Sequence, residues 1–375
     1  MAKPTGDQHK ERIYLKPSEM IEVLKGIIIH NYMNAQNCHL NGTTPSDASY
    51  IVPMIWGSPG IGKTRVVHLA VRMANEFLAK KYHSFTPMPV IVEPIADKSP
   101  EEIAGYPRPD SDLTFRRLMP HKWWKENNTP IVGFFDEIAQ GNVEQQNVAR
   151  GALLGHTIGE LTFKPGSTVI AASNLMEDRA GTHVMPTHVR DVLTHLYMMP
   201  DHREWAMWGA EMGIAFEITS FIQVHGAQFL HQLETQSTAL ACPSPRSWEK
   251  AHHIYSSDAP IHLKKAMISG TVGNAACGAL FDHIRVGKYM PDTKAILAGQ
   301  AVKMDESKTD VMYMTMCALA GEVSEISAKN LVKWLKTIKH KEFGSFCVNM
   351  SLRREPKLRS KMSEWLLDNE VDLIL

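Results

Sequence analysis

The sequence predicts an α/β chain in two parts, a parallel sheet wrapped by helices followed by an all-helical region. Three observations lead there. Between residues 50 and 200 short apolar runs alternate with helical stretches, the pattern of strands joined by crossover helices. The runs Val132-Gly133-Phe134-Phe135 and Val169-Ile170-Ala171-Ala172 are apolar on both faces, as central parallel strands are. After Asp201 strand runs stop and amphipathic helical pattern takes over.

Taken in order, the first dozen residues are polar and read as disordered. Pro17-Ser18-Glu19 then opens a helix through Gly26-Ile27-Ile28, with Ser18 as the expected N-cap. Residues 38–49 are rich in turn formers and read as a linker. Five strands are expected at Ile51–Trp56, Val90–Glu93, Ile131–Phe135, Ser167–Ala172 and Leu196–Met199. The irregular stretch Asp97–Asn128 holds Gly105, Pro107, Pro109 and Pro120, and suggests loop plus a hairpin near Leu113-Thr114-Phe115. Helices are expected at Trp205–Glu217, Ile218–Gln232, Trp248–Ser256, Ile268–Arg285 and Val311–Leu319. This divides the chain into an N-terminal extension and linker (1–49), an αβα core (50–203), a helical domain (204–345) and a C-terminal tail (346–375). No internal repeat or low-complexity tract is visible.

Composition sets bounds. The 375 residues suffice for two packed domains; 44% are hydrophobic and 21% charged, ordinary for a soluble globular chain. Lys plus Arg (40) equals Asp plus Glu (40), so no global field draws the chain to nucleic acid or an anionic membrane. The five cysteines (Cys38, Cys242, Cys277, Cys317, Cys347) form no Cys-x-x-Cys pair and read as reduced thiols in a cytosolic protein. No secretory signal is apparent and Ile27-Ile28-Ile29 is too short to span a bilayer, so a soluble, cytoplasmic protein is expected.

The chemistry concentrates at three strand ends. Gly57-Ser58-Pro59-Gly60-Ile61-Gly62-Lys63-Thr64 matches the phosphate-binding loop pattern, with a strand before it and a helix after it. Its glycines allow backbone N–H groups to turn inward around phosphates, and the following helix offers its positive end. Lys63 is expected on the β- and γ-phosphates of ATP, and the Thr64 hydroxyl in a Mg²⁺ shell. The strand Ile131–Phe135 runs directly into Asp136-Glu137, delivering two acids to the carboxyl edge of the sheet. Asp136 suits a Mg²⁺ anchor acting through water, and Glu137 a general base for the attacking water. The next strand ends in Ser173-Asn174, whose amide can sit between the two acids and bond the water or the γ-phosphate.

These signals, followed by a helical domain, resemble the AAA+ ATPases. Further stretches are similar to the MoxR-like branch, widespread in bacteria, archaea and their phages. In the core they are Glu101-Glu102-Ile103-Ala104-Gly105-Tyr106-Pro107, Phe135-Asp136-Glu137-Ile138, Asn174-Leu175-Met176-Glu177-Asp178 and Met185-Pro186-Thr187. In the second half they are Trp205-Ala206-Met207-Trp208, Pro243-Ser244-Pro245-Arg246-Ser247-Trp248 and Gly270-Thr271-Val272-Gly273. The resemblance covers about residues 50–320. It implies a P-loop αβα core with a five-stranded parallel sheet and a helical lid. It also implies a ring, of six subunits in such proteins, with ATP and Mg²⁺ bound between neighbours. On it, Asn174 resembles the sensor-1 residue and Arg246 the sensor-2 arginine. Relatives place the arginine finger six residues beyond the proline matching Pro186; here that position is Val192. Arg190 is the nearest arginine and the expected finger, with Arg179 or Arg203 as substitutes. Two residues along a helix is a turn of about 200°, nearly the opposite face.

The resemblance implies ATP-driven remodelling of a protein substrate or adaptor, relatives often working with a von Willebrand factor A domain partner. It would place the protein in a bacterial cytoplasm, or that of a host cell if phage-encoded. A nucleic-acid motor or loader on the same core is the alternative, which neutral charge disfavours, and a nucleotide-gated scaffold with little turnover is the third. Histidines such as His225, His231, His252 and His253 lack metal-ligand spacing and read as solvated or core residues. The basic run Arg353–Arg359 reads as a solvated helix start or a nucleic-acid contact. Trp123-Trp124 reads equally as a partner patch or as core.

Overall fold

The computed structural model describes residues 12–46, 49–109, 115–118 (backbone alone), 123, 128–178, 181–232 and 240–369. The expected disorder of the first dozen residues therefore falls almost wholly outside them. The chain divides into two compact units, Met1–Met199 and Pro200–Leu375.

The first unit is built on a six-stranded, all-parallel sheet. Its strands are β1 (Tyr14–Leu15), β2 (Pro53–Trp56), β3 (Val90–Pro94), β6 (Val132–Asp136), β9 (Thr168–Ser173) and β10 (Thr194–Met198), in the order β1-β10-β2-β9-β6-β3. Five of these fall on the expected runs. The sixth, β1, corrects the five-stranded expectation: Tyr14 and Leu15 pair with Tyr197 and Met198 at the edge of the sheet. Two residues before a helix carry no periodicity from which a strand could be read. Two small antiparallel ladders complete the unit. The first joins β4 (Tyr106–Pro109) to β5 (Phe115–Leu118); the second joins β7 (Thr157–Ile158) to β8 (Leu161–Thr162). The first is a hairpin in the expected region, although Leu113 and Thr114 lie outside the described residues.

Alternation along the strands feeds two cores. Met54, Phe135, Val169 and Ala171 face one side, packing with Ile91, Trp123 and the helix α4 (Val143–Gly155) through Ala149, Ala152 and Leu153. Ile55, Phe134, Ile170 and Ala172 face the other, under α1 (Pro17–Leu40) and α2 (Lys63–Lys81). Two further helices described in the unit, α3 (Pro100–Ala104) and α5 (Thr187–Arg190), are short. Helix α1 is twice its expected length and its N-cap is Lys16, not Ser18. Pro17 takes the first helical position, where its missing N–H costs nothing, and the Lys16 N–H donates to the Glu19 carboxylate at 2.8 Å. Buried Asn31 holds the chain just ahead of β2, accepting from the Ile51 N–H at 3.0 Å and donating to its carbonyl at 2.9 Å.

The second unit has helices and no strand among its described residues. It comprises α6 (His202–Glu211), α7 (Phe216–Phe229), α8 (Pro245–Tyr255), α9 (Ile261–Val272), α10 (Asn274–Val286), α11 (Thr293–Leu297), α12 (Thr309–Glu322), α13 (Ala328–Leu335), α14 (Lys341–Arg354) and α15 (Arg359–Asp368). Two expected helices break differently. The first boundary falls at Gly213 (φ 73°), which turns the chain between α6 and α7. The second falls at Gly273 (φ 88°), which splits the expected Ile268–Arg285 helix into α9 and α10. In the basic run Arg353–Arg359, Arg354 donates to the carbonyls of Gly321 and Val323 at the end of α12 and Leu358 is buried, while Lys357 and Arg359 are exposed. No described helix is long and apolar enough to cross a membrane.

Parallel strands, helices on both faces and the loop after β2 make this a P-loop αβα architecture, followed by a helical region.

Candidate functional site: a phosphate cradle at the sheet's carboxyl edge

The cradle begins where β2 ends. Gly57 has no room for a side chain, because a Cβ there would lie 2.6 Å from Ile61 Cδ1 and 2.9 Å from the Met198 carbonyl oxygen. Its N–H donates to the Ser173 carbonyl at 3.3 Å, tying the loop to the end of β9. Gly60 (φ 79°) and Gly62 (φ 94°) adopt the left-handed backbone that glycine takes without steric cost. Gly62 is the N-cap of α2, so the helix opens on Lys63 and Thr64 with its first N–H groups at the loop. Ile61 is buried against the sheet and anchors the loop from below.

Lys63 is the best-held group of the site. Its ammonium is buried and donates to the Gly57 carbonyl at 2.7 Å, the Ser58 carbonyl at 3.1 Å and Asn174 Oδ1 at 2.8 Å. The Thr64 hydroxyl donates to Asp136 Oδ2 at 2.9 Å, while Asp136 Oδ1 accepts from the Glu137 N–H at 3.0 Å. Residues expected at three strand ends therefore meet at one edge: Lys63 and Thr64 after β2, Asp136 and Glu137 at β6, and Asn174 after β9. Strand order sets how these residues follow one another along that edge. β9 stands between β2 and β6, and so Asn174 comes between Lys63 and the acid pair.

Glu137 has φ 57° and ψ 31°, an uncommon conformation for a residue with a side chain. It ends the regular strand geometry of β6 immediately after Asp136. Such strain, on the order of 1–3 kcal/mol, persists where surrounding structure imposes it, and functional sites are where it collects.

The donor set fits the groups implied by the loop. Thr64 and Asp136 place two oxygens 2.9 Å apart, hard ligands of the kind Mg²⁺ takes. Lys63 and the backbone N–H groups of a left-handed glycine turn match phosphate oxygens.

The arginines divide. Arg190 is exposed at the end of α5, and its carbonyl accepts from His195 Nε2 at 3.2 Å. Trp56 Nε1–H donates to His195 Nδ1 at 2.9 Å, so the ring proton sits on Nε2 and both nitrogens are used. Burial pushes His195 below the ordinary imidazole value; the Arg190 charge adds to that and the bond to its carbonyl opposes it. Val192 packs partly buried against the sheet's core. Arg246 is exposed at the second position of α8, and Arg203 is exposed on α6, both in the helical unit. Arg179 lies outside the described residues.

Sequence reasoning missed the network that braces β3. Glu93 is fully buried, accepting from Trp123 Nε1 at 2.7 Å and paired with Lys98. Trp123 stacks with Phe135 and Phe163 and is core, resolving one half of the Trp123-Trp124 pair; Trp124 lies outside the described residues. A buried glutamate in an apolar strand was the available signal, but its partners are 5 and 30 residues away.

No family model and no curated protein matches the chain. Among solved structures it is similar to NtrX from Brucella abortus in complex with ADP, at 13% identity and TM-score 0.37, over 93% of this chain and 68% of that one. It is also similar to a single-substitution variant of RuvB from Thermotoga maritima, at 14% identity and TM-score 0.29, over 92% and 87%. The fold is defined by the strand order and the cradle, not by these likenesses.

Proposed function

We propose that the chain binds ATP with Mg²⁺ in the cradle and hydrolyses it. The observation that carries this is the meeting of residues from three strand ends in two hydrogen-bonded pairs, Lys63 with Asn174 and Thr64 with Asp136, joined by the Lys63–Thr64 peptide. Lys63 would exchange bonds to the Gly57 and Ser58 carbonyls for bonds to the β- and γ-phosphates. Thr64 and Asp136 would hold Mg²⁺, which neutralises charge between those phosphates when bound. Glu137 would accept a proton from the water whose oxygen attacks the γ-phosphorus, and Asn174 would orient that water or a γ-phosphate oxygen.

The wider reading is a ring, six-membered as the MoxR-like resemblance implies, that remodels a partner protein such as one with a von Willebrand factor A domain. Arg190, exposed on the core unit, serves as the finger in trans; Arg246 is the sensor-2 arginine by its Pro-Arg-Ser-Trp setting. One observation favours a second reading, a nucleotide-gated scaffold. The position where relatives carry the finger is Val192, given over to packing. A finger in trans is worth about 10³–10⁵ in rate, so its loss would leave binding with little turnover.

ATP turnover per subunit, followed as protein concentration rises, separates the readings, with Glu137→Gln as control. The proposal expects a specific rate that climbs with concentration and falls about 10²–10⁴-fold in the variant, with ATP still bound. A flat, near-zero rate in both proteins with ATP bound would establish the scaffold. Failure of the wild-type chain to bind ATP would sink both.

A further inference from the structure

Away from the cradle, three helices of the second unit bring two histidines and an aspartate together. His225 lies on α7, His283 on α10 and Asp310 in the first turn of α12. One ligand atom from each lies within 4.8 Å of the others, the one such group among the described residues. His225 Nε2 and Asp310 Oδ2 are 3.6 Å apart. The two imidazole rings stand 5.5 Å apart and nearly perpendicular, with Phe221 against both.

One tautomer of His283 satisfies both bonds of its neighbour Ser220. Ser220 Oγ has one proton, and it lies 3.2 Å from the Glu217 carbonyl, which can only accept. With the hydroxyl proton committed there, the Ser220 oxygen accepts from His283 Nε2–H at 2.9 Å. His283 Nδ1 is then the deprotonated nitrogen. It is buried, in a residue only 3% exposed, and has no hydrogen-bond partner among the described residues. Buried acceptors are ordinarily satisfied, so a lone pair left this way calls for a hydrogen-bond donor or a metal ion. A ring whose other N–H is fixed by a neighbouring oxygen is also the arrangement in which histidine binds metals.

We propose that His225, His283 and Asp310 bind a divalent transition-metal ion of the zinc class. Two neutral imidazoles and a carboxylate are the borderline donors such ions select, unlike the all-oxygen shells of Mg²⁺ and Ca²⁺. Zinc bonds of about 2.0–2.1 Å in a tetrahedron put ligands roughly 3.3 Å apart. The His225–Asp310 pair is nearly there, and closing the largest separation takes a side-chain shift of about 1.5 Å at that geometry. His283 closes the site from inside; the side chains of His225 and Asp310 are 38% and 36% exposed, leaving an ion's path and a fourth position for water. Ser220 is a positioning residue, acting through His283. Linear spacing could not reveal the group, since 58 and 27 residues separate its members (225 to 283, 283 to 310). The ion would pin α7, α10 and α12 together, a structural role separate from phosphate chemistry.

The test uses the full chain and needs no ATPase readout. Zn²⁺ is titrated against a chromophoric chelator, Co²⁺ absorption reports tetrahedral ligation, and thermal unfolding is run with Zn²⁺ and with chelator. His225→Gln and Asp310→Asn alter part-exposed positions, and exposed His253→Gln is the control. One equivalent of Zn²⁺ should bind wild type and His253→Gln and raise their Tm. Both site variants should bind at least about tenfold more weakly, and Ser220→Ala about 10–100-fold more weakly, with the Tm rise reduced. A folded wild-type chain that binds no Zn²⁺ at micromolar concentration overturns the proposal and leaves a water molecule on Nδ1. Affinity unchanged in both site variants overturns it too, by putting the ion elsewhere.

Discussion

Lys63 donates to two backbone carbonyls, of Gly57 and Ser58, as well as to the Asn174 side chain. That difference separates two substitutions. Lys63→Ala removes the charge meant for phosphate; bonds to charged groups contribute about 1.5–3 kcal/mol each, so nucleotide affinity should drop more than about tenfold in a fluorescent-nucleotide titration. Asn174→Ala leaves the lysine held by the Gly57 and Ser58 carbonyls. Affinity should change little, while turnover falls about 10²-fold, as for loss of one positioned polar group. Equal losses of affinity in both variants would count against a sensing role for Asn174. The left-handed backbone at Glu137 belongs to the same scale. It was not legible in the sequence, where an Asp-Glu pair after a strand does not say which way the second acid is turned.

Among elements, the ties that fix register are polar and buried. Asn31 spans both backbone groups of Ile51, so Asn31→Leu, similar in volume, leaves an N–H and a carbonyl unpartnered. The cost should be about 2 kcal/mol or more, read as an earlier unfolding transition of the sheet-containing unit in urea. The sheet strands were legible because buried parallel strands are written as apolar runs, and the cradle because its glycines and Lys63-Thr64 are local in sequence. Strand order was not, since nothing in the run Val169–Ala172 says that it inserts between β2 and β6. Helix ends at Gly213 and Gly273 were misplaced because apolar periodicity continues through both. Positive φ, not loss of pattern, stops those helices.

On the scale of the whole molecule, the cysteines report where the chain is closed. Cys277, Cys317 and Cys347 are buried, and burial pushes their thiols upward, Cys347 to about 12. Cys38 and Cys242 are partly exposed. A thiol reagent counted by mass spectrometry should label those two in the native chain and all five after denaturation. Rapid native labelling of Cys317 or Cys347 would show that the helical unit opens readily. The composition pointed to reduced thiols, but which of them are protected depends on the packing of helices distant in sequence.

The sheet's first strand has a wider consequence. β1 is two residues long, yet it occupies the open side of β10, the strand whose Met198 carbonyl lies against Gly57. An uncovered strand edge invites pairing with other chains. Tyr14 and Leu15 thus act as a bolt on a door two strands from the cradle. A chain begun after them, at the proline that opens the first helix, would keep every phosphate-binding residue and expose a sticky margin beside them. Self-association of such a shortened chain would then resemble the proposed ring in any assay that reads size alone.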